Sequence, residues 1–214
     1  TLMKILMGIY DADAGEVLVE GEKLAARSPR EAMERGVAMI HQELNPILDM
    51  QVYENVYVGR ELHRGILVDR PAMLRETEKL LAELGIDIPA TAFMRDLSVA
   101  QCQLIEIVKA ISISAKVVVM DEPTSAITDK EVETLFRQIR RLQSEGVAII
   151  YISHKMDEIF QICDTITVLR DGQFIGTHPA AEMDNDKLIR MMVGRDITEV
   201  FPKADAKIGD VILE

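Results

Sequence analysis

Asp121 and Glu122 stand side by side at the end of the apolar run Val117-Val118-Val119-Met120, and Pro123 follows them at once. A short apolar run closed by a breaker reads as a strand buried on both faces. Charge is costly to bury, so two carboxylates at the mouth of such a strand serve something other than packing. Strand tips of open α/β sheets are also where ligands bind. The chemistry that fits is phosphoryl transfer. Asp121 would hold a Mg²⁺ that bridges phosphate oxygens, and Glu122 would orient or deprotonate an attacking water. Neighbours on a strand point to opposite faces, which suits two different jobs. The plain alternative is a solvated pair of carboxylates at a strand end. A triphosphatase also needs a Gly-x-x-x-x-Gly-Lys-[Ser/Thr] loop to cradle phosphates, and the chain contains none.

Three further positions carry candidate chemistry. His154 closes the apolar run 147–152, where a ring nitrogen could meet a γ-phosphate or merely cap the strand. Gln42 closes the run Val37-Ala38-Met39-Ile40, and a neutral amide there can ligate Mg²⁺ or orient water without adding charge. Ser98 and Gln101, in Leu97-Ser98-Val99-Ala100-Gln101, have capping-box spacing, worth about 1 kcal/mol as a simple helix cap. The same helix start offers N–H groups and a positive dipole end to an anion, with Val99 and Ala100 keeping it apolar and small. Ser125-Ala126-Ile127-Thr128 joins the carboxylates to the next helix, as a plain connector or as a contact loop. His41, His63 and His178 lack partners at metal-site spacing.

The elements that position these residues alternate. Thr1 to Tyr10 has helical apolar spacing, Gly15 to Gly21 reads as a short strand, and Pro29 to Arg35 as a helix. After the strand at 37–40 the pattern from Asn45 is mostly helical. It includes a helix opened by Asp69-Arg70-Pro71 and stopped by Gly85, then one from Val99 to about Ser112. Beyond the strand at 117–120, Thr128 and Glu131 form a capping box before a helix with Val132, Leu135, Phe136, Ile139 and Leu142 inward. The strand 147–152 precedes a helix with Met156, Ile159, Phe160 and Cys163 inward. Arg170-Asp171-Gly172 signals a hairpin between Thr165 and Thr177, and a last helix covers Asn185 to Val193. Residues 196–214 read as a charged linker and the start of another strand. Buried strands alternating with helices predict an α/β sheet with a helical insertion over about 45–112.

Composition narrows the classes. Net charge is −12, which argues against a surface that neutralises a nucleic-acid backbone but leaves a local ATP site open. Aromatics are 4% with no Trp, so the core is aliphatic and rich in the 12 Met. The two cysteines, Cys102 and Cys163, fit a reduced cytosolic setting. No apolar stretch approaches the roughly 18 residues of a membrane span.

Taken in order, Gln42, the helical block, Leu97 to Gln101, Asp121-Glu122-Pro123, Ser125 to Thr128 and His154 resemble the nucleotide-binding domain of an ABC transporter over Thr1 to about Arg195. There they match the Q-loop, signature, Walker B, D-loop and switch histidine. Val99-Ala100 in place of two glycines, with His41 to Leu44, Glu122 to Ala126, Tyr151 to Met156 and Met192 to Arg195, is similar to the tandem ATPases of bacterial monosaccharide importers. Cys102 stands where that group usually has Gln, and Thr128 where the general motif has Asp. The resemblance implies a P-loop NTPase-like α/β fold (an ABC ATPase with an inserted α-helical subdomain), with ATP and Mg²⁺ as ligands. It implies that Asp121 and Gln42 serve the metal, and that Glu122, His154 and Gln42 serve catalysis. Ser98, Val99, Ala100 and Gln101 would contact ATP held by a second ATPase half, and Thr1 would follow the Ser of a phosphate loop. The chain would be most of a first half cut from a tandem protein, inactive alone, on the cytoplasmic face of the membrane. Its partners would be an integral-membrane sugar permease and, indirectly, a periplasmic or lipoprotein sugar-binding protein, with no nucleic acid. The rival is a soluble ABC protein acting on ribosome or DNA. The short separation of Gln42 from Leu97 and the acidic charge disfavour it.

Overall fold

A computed structural model describes residues 1–41 and 45–194. The expectations for Gln42 and for residues 196–214 lie outside the described residues. The elements run α1 (Leu2–Leu6), β1 (Leu18–Val19), β2 (Glu22–Lys23), α2 (Pro29–Glu34), β3 (Val37–Ile40), α3 (Val52–Tyr57), β4 (His63–Arg64), β5 (Leu67–Val68), α4 (Arg70–Leu84), α5 (Val99–Ser112), β6 (Val117–Asp121), α6 (Asp129–Ser144), β7 (Ala148–Ile152), α7 (Met156–Ile162), β8 (Thr165–Arg170), β9 (Gln173–Pro179) and α8 (Asn185–Val193). They divide into two compact units, one over Thr1–Glu158 and one beginning at Ile159.

The first unit is organised by a parallel sheet in the order β3-β6-β7. Its three apolar runs are rich in Val and Ile, the β-branched residues that suit a sheet covered by helices. The register pairs Ile40 with Met120 and Asp121 with Ile152, so the C-terminal ends of the strands stand level. One face packs Val37 and Val119 against Leu6, Met7 and Ala32, with Ile150 and Ile152 partly buried beside them. Tyr151 points the other way, edge-on to Phe136 of α6 at 6.1 Å and 77°. Val118, Val119 and Met120 are wholly enclosed, as the run predicts. β7 differs from expectation: Ala148 is exposed and Ile149 to Ile152 are only half-buried. Among the described residues β7 pairs on one side alone, with β6.

The helical block packs α3, α4 and α5 around Val52, Val56, Met73, Leu81, Ile105 and Val108. α4 begins with the Asp69 side chain accepting from the Ala72 N–H at 3.0 Å and ends at Gly85 with φ +64°. Both signals stand in the sequence. Its last carbonyls are met from α6: Gln138 Nε2 donates to Leu84 O at 3.0 Å, and Arg141 Nη1 donates to Glu83 O. The block also holds the antiparallel hairpin β4–β5, which its helical pattern does not announce and whose tip residue Ile66 is 97% exposed.

Two other segments are shorter than predicted. The strand expected over 15–21 is a small hairpin of β1 and β2 turning at Glu20-Gly21, both at positive φ. The helix expected over Thr1 to Tyr10 ends at Leu6. Gly8 explains that stop. Its φ is +66°, and a Cβ there would lie 2.6 Å from Ala26 O, so the chain turns where a helix cannot continue.

In the second unit, Asp171 and Gly172 both take positive φ, which gives the tight turn between β8 and β9 that Arg170-Asp171-Gly172 predicts. α8 is capped by Asp184, which accepts from Lys187 N–H at 2.7 Å, and stops at Gly194 with φ +78°. Ile166, Val168 and Leu188 are buried.

Gly8→Ala combines backbone strain with a clash and should cost about 1–3 kcal/mol. Gly21→Ala, at φ +81° but with nothing near its Cβ position, should cost less. Urea unfolding of the two variants tests this, and equal losses would contradict the assigned close approach.

Candidate active site

The site lies at the level ends of β6 and β7. Asp121 is the last residue of β6, half-buried and in register with Ile152. Glu122 leaves the strand. Its N–H still donates to Ile152 O at 2.8 Å, extending the ladder by one bond, but its φ is +46°. A non-glycine residue in the left-handed region is strained and marks a special position. Glu122 therefore parts from Asp121 by a turn of the backbone, beyond the simple alternation expected of a strand. Its carboxylate reaches the imidazole of His154: Oε1 lies 3.0 Å from Nδ1. The side chains are 28% and 66% exposed, so water reaches the pair. Two of the predicted residues, 32 positions apart in sequence, thus meet directly.

Ser98 to Gln101 forms the start of α5. Both bonds of the capping box are present: Ser98 Oγ accepts from Gln101 N–H at 3.2 Å, and Gln101 Oε1 accepts from Ser98 N–H at 2.9 Å. Ser98 is exposed, Val99 is 48% exposed and Ala100 is buried. The Ser98 hydroxyl is an acceptor in the cap, which leaves its proton to donate elsewhere. Cys102 turns away from this surface into the helical core, where burial pushes its thiol up, with the nearby Glu106 adding to the rise. The residue that departs from the resembled signature thus packs inside. Thr1 is exposed at the start of α1 and makes no side-chain cap.

Sequence reasoning missed two residues. Gln103 is buried on α5, and its Nε2 donates to Pro123 O, tying the helix of Ser98 to the turn that follows the carboxylates. Glu158 is also buried. The predicted inward face of α7 (Met156, Ile159, Phe160 and Cys163) is only half-buried, and Glu158 and Ile162 are enclosed instead. A set of donors surrounds Glu158. Thr124 Oγ1 lies 2.7 Å from both Glu158 oxygens, Tyr151 OH donates at 2.8 Å, Ser153 Oγ at 3.3 Å, and Lys155 Nζ stands at 3.1 Å. Burial pushes the Glu158 carboxyl up, but the bonds from Thr124, Tyr151 and Lys155, with the Lys155 charge, outweigh it and hold the carboxyl below its ordinary value. The signal was a polar residue at an apolar phase, with hydroxyls at the neighbouring strand ends.

With this geometry in hand, comparison with known proteins is decisive. Residues 1–125 match the ABC transporter family. The chain belongs to that family. It is 57% identical to the putative ribose/galactose/methyl galactoside import ATP-binding protein 1 of Rhizobium etli over 219 aligned positions. It is 51% identical over 214 positions to the galactose/methyl galactoside import ATP-binding protein MglA of Escherichia coli K12. Each alignment covers all of this chain and 42% of the relative, so the chain spans less than half the length of the relatives it matches. Among solved structures, the fold matches an ATP-binding cassette of an ABC transporter with TM-score 0.76 and 24% identity, over 89% of this chain and 81% of that one. A nucleotide-free ATP-binding cassette matches with TM-score 0.71 and 22% identity, over 91% and 79%. The α/β fold of an ABC ATPase is thereby shown.

Glu158 has a lowered folded-state pKa, so its contribution to stability is full above the unfolded value of about 4.3 and is lost as pH falls through the lower folded value. Urea midpoints measured from pH 6 to pH 3 should fall more steeply for the wild type than for Glu158→Gln. Parallel curves would contradict the assigned network.

Proposed function

We propose that this chain is the ATP-binding part of the first ATPase half of a monosaccharide importer, coupling ATP hydrolysis to sugar uptake through a membrane permease. The observation that carries this reading is the 3.0 Å pairing of Glu122 with His154 at the level ends of β6 and β7, beside Asp121. The names of the similar import proteins support the sugar class.

Each side chain has a task that its surroundings permit. Glu122, accessible to water, orients the attacking water and accepts its proton. His154 gives Nδ1 to Glu122, which leaves Nε2 for the γ-phosphate. The neutral ring with its proton on Nδ1 offers the phosphate only a lone pair, whereas the imidazolium donates to the carboxylate and the phosphate together. Asp121, with Gln42, would hold Mg²⁺. This is the sparse oxygen set that Mg²⁺ uses when phosphates and waters complete its shell. Held there, the ion would supply positive charge against the phosphate oxygens. Ser98, its hydroxyl proton spare, with Val99, Ala100 and Gln101, serves a nucleotide held by the second half.

We take Thr1 to Arg195 as one ATPase domain with its helical subdomain at about 45–112, followed by a linker. The half-buried apolar residues of β7 support a further strand beside it, which would bring the phosphate loop that these 214 residues lack. The permease contact falls within Asn45 to Tyr57. Asn55 clamps its first part: Oδ1 accepts from Ile47 N–H at 2.8 Å, and Nδ2 donates to Ile47 O at 3.1 Å. That hold leaves Ile47 and Leu48 exposed, while Val52, Tyr53, Val56 and Tyr57 are spent in the core. Among the described residues no helix is long and apolar enough to cross a membrane.

In the tandem protein, Glu122→Gln should keep ATP binding and stall turnover; single-turnover hydrolysis near the wild-type rate would sink the role given to Glu122. The 214-residue chain by itself should show no micromolar affinity for ATP in a calorimetric titration. Micromolar binding would mean that phosphate recognition does not depend on the absent loop.

A further inference from the structure

Glu158 is a carboxylate enclosed in the protein, and the groups that bond it are Thr124, Tyr151, Ser153 and Lys155, the neighbours of the two residues that meet at the site. What it does touch is informative. Thr124 lies two positions beyond Glu122. Ser153 and Lys155 flank His154. Tyr151 is the penultimate residue of β7, its ring held by Phe136. Lys155 Nζ adds bonds to Thr124 O at 3.1 Å and Thr124 Oγ1 at 3.3 Å, and Lys155 N–H donates to Ser153 Oγ at 3.0 Å. The cluster therefore joins the turn after β6 to the turn after β7 through one carboxylate. These are the two turns that carry Glu122 and His154.

We infer that Glu158 is a positioning residue for the reaction: it staples the two turns together and so sets the Glu122–His154 contact. This inference rests on the ATPase reading for its catalytic consequence, but not for its geometry. The ionised carboxylate suits the task because it only accepts, and it offers about four lone-pair sites to three hydroxyls and an ammonium. A glutamine in its place has one acceptor oxygen and brings two protons of its own. The Lys155 ammonium would then lose its counter-charge inside the cluster. The Glu122 backbone is strained at φ +46°, so it depends on its surroundings to stay in that state.

The test has two arms. In the 214-residue chain, the ¹⁵N signal of His154 Nδ1 reports the bond to Glu122, and Glu122→Ala supplies the signal of the broken pair. Glu158→Gln should move His154 toward that reference. Thr124→Val, which removes one donor while keeping size and the Lys155 pair, should move it part of the way and covers the case in which Glu158→Gln fails to fold. A wild-type His154 signal in the folded variants would overturn the proposal. In the tandem protein, Glu158→Gln should lower kcat by roughly 10- to 100-fold, as a misplacement of about an ångström does, with KM for ATP little changed. In a His154→Ala background the same substitution should cost little more, because the two act through one contact. Full additivity, or a loss confined to KM, would also overturn it. A wild-type tandem protein without ATPase activity would instead remove the functional reading, and the His154 signal would still decide whether the staple exists.

Discussion

Parallel strands offer side chains to a ligand only where their hydrogen-bond ladder ends, and here the ladder between β6 and β7 ends one bond late. The Glu122 N–H, already past the strand, still donates to Ile152 O. That bond fixes the level at which two loops leave the sheet. Asp121 stays in register below it, Glu122 turns out of the strand above it, and His154 follows two residues after its acceptor. The buried runs of β6 and the packing of Tyr151 on Phe136 hold the ladder in place. Without them the 3.0 Å contact between a carboxylate and an imidazole 32 residues apart would have no fixed reference.

Around this reference the unit is tied by polar side chains, of which Gln103 and Gln138 are themselves buried. Gln103 links α5 to Pro123, and Gln138 and Arg141 link α6 to the end of α4. Each donates to a backbone carbonyl at the end of a strand or helix. Such ties are costly to leave unmade, so they specify one arrangement more sharply than apolar contact does. The helical block thus reaches the sheet through a bond to the same turn that carries the carboxylates. Glu158 extends the pattern with a charge.

Much of this was legible in the chain. Asp121, Glu122 and His154 stood out because each closes an apolar run, and strand ends are where charge is tolerated in a buried sheet. Ser98 and Gln101 stood out because three-residue spacing before a helix has a defined geometry. α5 begins and ends as read, since Ser98 and the apolar period mark it at both ends. What escaped had opposing cues. Glu158 and Gln103 are polar residues at buried positions, and residue type alone counts them as outward. The β4–β5 hairpin is too short to alternate. α1 stops at Gly8 because of Ala26, a neighbour in space that no local pattern contains. β7 reads as fully buried because its sequence is apolar throughout, yet among the described residues it pairs on one side only.

The left-handed backbone of Glu122 has a consequence for anyone who would make this protein sturdier. Glycine is the residue that its φ of +46° favours, and strain of this kind is worth of order 1–3 kcal/mol. A selection for thermal tolerance alone would drift toward losing the carboxylate, because the substitution that relaxes the main chain removes that side chain. Under the role proposed for Glu122, durability and turnover pull in opposite directions at this position.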